Sequence, residues 1–310
     1  MSKCKFVVDD KATVQGTTLF ADKENACTQE TGIYFPPSHQ KNNNNLNVIL
    51  CLHGYYVKSP RNLFNPSSAY ETTLRQSVLA SNKDVVFIAP WLGHRNREGG
   101  SIGLGKLGNG KGCQLYLEEV LQALGHFQGT SNLQICNLII ASHSAGGWMM
   151  RDVVGTLGHF GAVLKECWGF DCIYHSKIIW GEWIRTHKIK TKLYFYIANG
   201  SNSEYAVALW KAIHGTPMRP TWEDSRKNIY LAMALKAYGT LVDRIAFQST
   251  EEIQKKFAMD AYELMRKQVD PLLDDPKPSK YWQKIYPYLK GHFEVVRDLL
   301  GPRIQQSTVL

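Results

Sequence analysis

Three stretches of the chain are apolar without alternation: Asn47-Val48-Ile49-Leu50-Cys51-Leu52, Asp84-Val85-Val86-Phe87-Ile88-Ala89-Pro90 and Asn137-Leu138-Ile139-Ile140-Ala141-Ser142. Apolar side chains on both faces of an extended segment mean a strand covered from both sides. Helical spacing fills the intervals, from about Ala69 to Ser81 and from Cys113 to Leu124. Buried strands alternating with helices of this length predict right-handed βαβ crossovers, and hence an α/β fold with a mainly parallel central sheet flanked by helices. Two further strands fit Cys167–Phe170 and Lys192–Ala198.

The ends of the chain read differently. Residues 1 to 47 are polar and broken, with one strand-like run, Ile33-Tyr34-Phe35, closed by Pro36-Pro37, and a loop by composition at Asn42 to Asn45. From Tyr205 to Lys280 helical spacing dominates and no buried strand is expected; Leu272 to Pro278 closes that stretch like a hinge. This predicts a core of residues 1–204 and 281–310 with an inserted helical cap at 205–280. A last strand fits Lys284 to Leu289, and Gly291-His292-Phe293-Glu294-Val295-Val296 leads into a closing helix.

Chemistry concentrates where the third apolar run meets a helix, in Ala141-Ser142-His143-Ser144-Ala145-Gly146-Gly147. A serine on so sharp a strand-to-helix turn is held in strained backbone geometry with its hydroxyl projecting from the top of the sheet, and the residues two before and two after it must be small. Ser142 and Gly146 meet that need around Ser144. Upstream, the first buried strand ends in Leu52-His53-Gly54-Tyr55, where the N–H of Tyr55 can join that of Ala145 as a two-donor oxyanion hole. One such donor is worth roughly 3 to 4 kcal/mol of transition-state stabilisation. Downstream, His292 stands where a loop returns an imidazole to the sheet top. A histidine that becomes imidazolium needs a carboxylate on its other nitrogen. Asp171 directly follows the apolar run Trp168-Gly169-Phe170, and Glu204 lies in the polar loop after the next strand. Asp171 is favoured because the sheet places it, and Glu204 is the alternative acid.

These motifs resemble the α/β-hydrolase fold family: His-Gly after one strand, a nucleophile elbow after a later one, and Gly-His-Phe near the end of the chain. The resemblance covers roughly residues 30 to 204 and 281 to 300. It implies the chain order Ser, acid, His, onto which Ser144 and His292 map residue by residue. Ser142 departs from the glycine usual at that position and adds a side chain at a crowded point, so Ser142→Gly is expected to be tolerated.

Composition narrows the reading. The 310 residues are 44% hydrophobic and carry no apolar run of membrane-spanning length, and residues 1 to 10 contain no stretch like a signal peptide, which predicts a cytoplasmic protein. Lys and Arg number 36 against 27 Asp and Glu, a net charge of +9. The densest basic cluster, Arg185, Lys188, Lys190 and Lys192, is interleaved with apolar residues, so no specific nucleic-acid partner is expected. Seven cysteines without a C-x-x-C pair indicate neither a disulfide framework nor a zinc site, and Cys51 and Cys136 read as buried small hydrophobes. Gly103, Gly105 and Gly108 form a formal G-x-G-x-x-G, and Gly105 to Lys111 a G-x-x-x-x-G-K followed by Gly112, where a phosphate loop needs Ser or Thr. The segment also starts well beyond the strand ending at Pro90, so it reads as a mobile loop opening near Ser144 and not as a nucleotide site.

The expected activity is that of a serine hydrolase acting on a small-molecule ester or acyl substrate, with no metal or organic cofactor. Amidase, peptidase and acyltransferase chemistry share the same machinery, and a hydrolase fold that only holds a ligand is a further alternative. Tyr205, Trp210, Trp222 and Tyr230 are expected in the cap, as packing or as a surface for an apolar substrate part. Of the other histidines, His53 is expected to shape the oxyanion loop, His143 to pack beside the strand, and His94, His175 and His214 to lie in or near loops.

Overall fold

The computed structural model describes residues 7–9, 13–18, 30–36, 38–40, 43–55, 57, 71–96, 99–102, 105–173, 180, 182–183, 186–187, 190–198, 221–224, 229–233 and 291–310. The strands are β1 (Val7–Asp9), β2 (Thr13–Thr18), β3 (Glu30–Tyr34), β4 (Asn45–Leu52), β5 (Val86–Pro90), β6 (Gly93–Asn96), β7 (Gly99–Ile102), β8 (Gln134–His143), β9 (Leu164–Phe170), β10 (Lys192–Ile197), β11 (Thr221–Asp224) and β12 (Ile229–Met233). The longer helices are α1 (Glu71–Ser81), α2 (Gly112–Gln128), α3 (Gly146–Gly155) and α4 (His292–Gln306).

Ten strands form one sheet in the order β1-β2-β3-β5-β4-β8-β9-β10-β12-β11. The six from β5 to β12 run parallel, while β1, β2 and β3 join antiparallel on one edge and β11 on the other. This is the mainly parallel sheet that the apolar runs predict, and β4 shows why those runs are unbroken. Val48, Leu50 and Leu52 pack on one face with Tyr116, Leu117 and Val120 of α2 and Met149, Met150 and Val153 of α3. Ile49 and Cys51 pack on the other with Leu74 and Val78 of α1 and Val295, Leu299 and Leu300 of α4. Successive side chains of a strand alternate faces, so helices on both sides demand apolar residues at every position.

Four expectations need correction. Residues 1–47 hold more strand than the one run Ile33-Tyr34-Phe35: β1 and β2 extend the sheet beyond β3, and their shortness and polar content, as in Thr13-Val14-Gln15-Gly16-Thr17-Thr18, hide them. The stretch 205–280 is not free of strands, because β12 pairs in parallel with β10 from Leu193↔Ile229 to Ile197↔Met233, and β11 pairs with β12. Ile229-Tyr230-Leu231-Ala232-Met233 is a short apolar run that suits a helix or a strand, and only its partner decides. Trp222 and Tyr230 are therefore strand residues, whereas Tyr205, Trp210 and the expected strand at 284–289 lie outside the described residues. The glycine-rich segment is not a loose loop: Gly93–Asn96 and Gly99–Ile102 pair as a hairpin, a 3-10 turn follows at Gly105–Gly108, and Thr156 Oγ1 donates to the Leu107 carbonyl at 2.7 Å. Glycine pairs through its backbone as any residue does, and the buried Leu107 anchors the turn. Lastly, Cys51 is buried but Cys136 is exposed, near the start of β8 before helices cover it. Among the described residues no helix is long and apolar enough to cross a membrane.

Candidate active site

The parallel register of β8 and β9 pairs His143 with Phe170. The next residues, Ser144 and Asp171, therefore stand side by side at the carboxyl ends of neighbouring strands, about 5 Å apart. Both leave their strands in the left-handed region, with φ of 56° and 44°. That conformation costs a non-glycine residue on the order of 1–2 kcal/mol, so the surroundings must hold it. They do: the Ser144 N–H donates to the Phe170 carbonyl at 3.2 Å, the Ser144 carbonyl accepts from the Gly147 N–H at 3.1 Å, and the Asp171 N–H donates to the Tyr196 carbonyl at 2.7 Å.

The elbow packs against the end of β4 so closely that two positions admit only glycine. A Cβ on Gly146 would collide with the Leu52 carbonyl oxygen, and one on Gly54 would lie 2.5 Å from Ser144 Cβ. The His53-Gly54 corner thus abuts the serine, with the half-buried Tyr55 following in a turn and Ala145 capping α3. His53 is fully buried; its Nδ1–H donates to the Gly54 carbonyl at 2.7 Å and its Nε2 accepts from the Leu92 N–H at 2.8 Å. Burial pushes its pKa down to about 4, so the ring is a neutral brace for the corner. At the other flank, Ser142 Oγ lies 3.4 Å from the Trp168 carbonyl oxygen and 3.4 Å from Cys172 Sγ, with Met150 Sδ at 3.5 Å. The position is closely filled, and the hydroxyl finds acceptors there.

His292 is the first residue of α4, and the start of that helix is fixed by the Gly291 N–H donating to the Glu294 carboxylate at 2.6 Å. Its Nδ1 lies 2.6 Å from Asp171 Oδ2. The other carboxylate oxygen accepts from the Ala198 N–H at 3.1 Å, so Asp171, only 2% exposed, is oriented by the end of β10. Because the carboxylate accepts, Nδ1 carries the hydrogen and Nε2 is the basic nitrogen of the ring. His143 was expected only to pack; it is 1% exposed, and its Nε2 lies 2.9 Å from the backbone carbonyl oxygen of His292, with the two rings 4.5 Å apart. Phe293, half exposed, sits edge-on to His292 at 5.2 Å.

The structure thus gathers Ser144, Ala145, Gly54, Asp171 and His292 at one end of the sheet. Glu204, His175 and His214 lie outside the described residues, and His94 lies in the β6–β7 hairpin. Among the described residues no group of three or more His, Cys, Asp or Glu could hold a metal ion.

No family model matches the chain, and no curated protein does. Solved structures similar to it include an acetyl xylan esterase from Aspergillus awamori, at 12% identity and a TM-score of 0.40 over 70% of this chain and 91% of that one. An S-formylglutathione hydrolase from Agrobacterium tumefaciens matches at 14% identity and a TM-score of 0.42, over 74% of this chain and 88% of the other. A ferulic acid esterase matches at 16% identity and 0.37, over 69% and 87%.

Proposed function

We propose that this chain, whose fold is that of the α/β-hydrolases, is a serine hydrolase that cleaves a carboxylic ester through an acyl-enzyme on Ser144. The observation that carries the reading is the 2.6 Å contact between His292 Nδ1 and Asp171 Oδ2, made by an aspartate that stands beside a serine in left-handed conformation at the next strand end. A serine hydroxyl is a weak nucleophile until a base takes its proton as it attacks. His292 Nε2 is that base. Asp171 fixes the tautomer from the far side of the ring and stabilises the imidazolium as it forms. Attack by Ser144 Oγ on the ester carbonyl places negative charge on the carbonyl oxygen, which the N–H groups of Ala145 and Tyr55 receive. Collapse breaks the ester bond, and imidazolium returns its proton to the departing alcohol. Water then attacks the acyl carbon as His292 takes its proton, and the imidazolium returns that proton to Ser144 Oγ as the bond to the acid breaks. The reaction uses no cofactor. The segment 205–280, expected as the inserted cap, contributes none of these catalytic residues, and the choice of substrate is assigned to it.

The test is turnover of p-nitrophenyl acetate together with mapping of a fluorophosphonate adduct on the intact protein. The adduct is expected on Ser144, and Ser144→Ala is expected to lose both the adduct and, by roughly a thousandfold or more, kcat. A folded Ser144→Ala protein that keeps its turnover removes the assignment.

A further inference from the structure

We propose that His143, the residue directly before the nucleophile, is a positioning residue that fixes His292 by donating a hydrogen bond from Nε2 to the His292 main-chain carbonyl; the proposal rests on the reading of Ser144 and His292 as nucleophile and base. His143 does not touch substrate: it is 1% exposed and its Nε2 is engaged at 2.9 Å. A carbonyl oxygen can only accept, so Nε2 carries the hydrogen and the ring is the Nε2–H tautomer. The same geometry demands a neutral ring. A charged imidazole with its centroid 4.5 Å from that of His292 would oppose the imidazolium that catalysis requires, and burial followed by the neighbouring His292 charge holds His143 down at about 3.

The bond matters because of where its two ends lie. His292 is held at Nδ1 by Asp171, from the end of β9, and at its own main chain by His143, from the end of β8. One pin orients the ring and the other fixes the first turn of α4 from which the ring hangs. Since His143 is covalently joined to Ser144, the same strand end that places the nucleophile also places the base. A displacement of α4 relative to β8 is therefore resisted at the one residue where it would lengthen the Oγ to Nε2 separation. Misplacement of a reacting group by about 1 Å costs on the order of a hundredfold in rate, with substrate binding little affected.

Two variants and one spectrum test this. His143→Phe keeps an aromatic ring and removes the donor, while His143→Gln places an amide N–H close to the position of Nε2. With p-nitrophenyl acetate, His143→Phe is expected to lower kcat on the order of a hundredfold, with KM within about threefold, and His143→Gln to recover kcat to within about tenfold of the parent. In protein labelled with 15N at the histidine ring nitrogens, His292 is expected to remain the Nδ1–H tautomer in the parent and His143→Gln and to average between tautomers in His143→Phe. Equal kcat in His143→Phe and parent, or equal losses in the Phe and Gln variants, overturns the proposal. The parent spectrum decides it without any variant: His143 is expected as an Nε2–H tautomer that does not titrate between about pH 5 and 8, and an Nδ1–H or titrating His143 overturns it. These nitrogen signals need no turnover, so a failure of the hydrolase reading, seen as activity retained in Ser144→Ala, is told apart from a failure of this one.

Discussion

Asp171 is held at three points: its N–H by Tyr196, one carboxylate oxygen by Ala198, and the other by His292. An asparagine fits the same space and can keep the backbone contacts, but it carries no charge to balance an imidazolium and can present an amide N–H where an acceptor is needed. Asp171→Asn is therefore expected to lower kcat on the order of a thousandfold or more while the protein stays folded, and Glu204→Gln to leave it nearly unchanged. Assay of both variants after a check of fold by circular dichroism decides the matter; a collapse in Glu204→Gln alone moves the acid to Glu204. Asp171 is legible in the sequence because it directly follows the apolar run Trp168-Gly169-Phe170, where chemistry and local pattern coincide. The bond from His143 to the His292 carbonyl spans 149 positions, and no local pattern announces it. The acceptors around Ser142 Oγ are hidden for a related reason, since Trp168 and Cys172 come from the neighbouring strand and its continuation.

Helix α4 docks on β9 at two places, and the spacing of the two elements matches. His292 and Arg303 are eleven positions apart, about 16 Å along a helix and within roughly 20° of the same face. Glu166 and Asp171 are five apart, which is also about 16 Å along a strand. The upper contact is His292 with Asp171; the lower is Arg303 Nη2 with Glu166 Oε2 at 3.7 Å, the guanidinium lying 3.9 Å over the Tyr194 ring and the same carboxylate oxygen accepting from Trp168 Nε1 at 2.7 Å. Both charged groups are buried, at 5% and 0% exposure, and Arg303 Nε and Glu166 Oε1 have no hydrogen-bond partner. Removing one partner of such a pair strands a charge at a cost of about 3–5 kcal/mol, whereas replacing both with apolar residues of similar volume is neutral or better. Arg303→Met is expected to lose about that much stability in urea denaturation, and Arg303→Met with Glu166→Leu to recover most of it. A double variant no more stable than the single one would show that the pair contributes net stability. Elements such as β4, β5 and β8 are legible because their helices demand apolar residues on both faces. The docking of α4 is not, because an arginine in an amphipathic helix reads as a surface charge until the fold buries it.

At the scale of the whole molecule, two buried histidines among the described residues, His53 and His143, make stability depend on acid. Burial pushes His53 down to about 4, and burial with the neighbouring His292 charge pushes His143 down to about 3, against about 6.5 in the unfolded chain. Both contributions are fully present above about pH 6.5 and are lost as the pH falls toward the folded values, because in that window the unfolded chain binds two protons that the fold refuses. Between pH 7 and pH 5 the pair costs the fold on the order of 4 kcal/mol. Glu119 acts in the opposite direction. Burial raises it to about 7, and its two carboxylate oxygens have no hydrogen-bond partner, so the fold keeps a proton that the unfolded chain releases above about pH 4.5. Its side chain is only partly buried, and it offsets only part of the histidine effect. Stability from urea denaturation is therefore expected to be lower at pH 5 than at pH 7. Glu119→Gln is expected to raise stability at pH 7, leave it nearly unchanged at pH 5, and so steepen the loss. His143→Phe is expected to do the reverse, removing roughly half of the acid-dependent term because one of its two protons has gone. A stability that is flat or rises from pH 7 to pH 5 would contradict the burial of both rings in neutral form. So would a Glu119→Gln protein whose acid loss is shallower than the parent's.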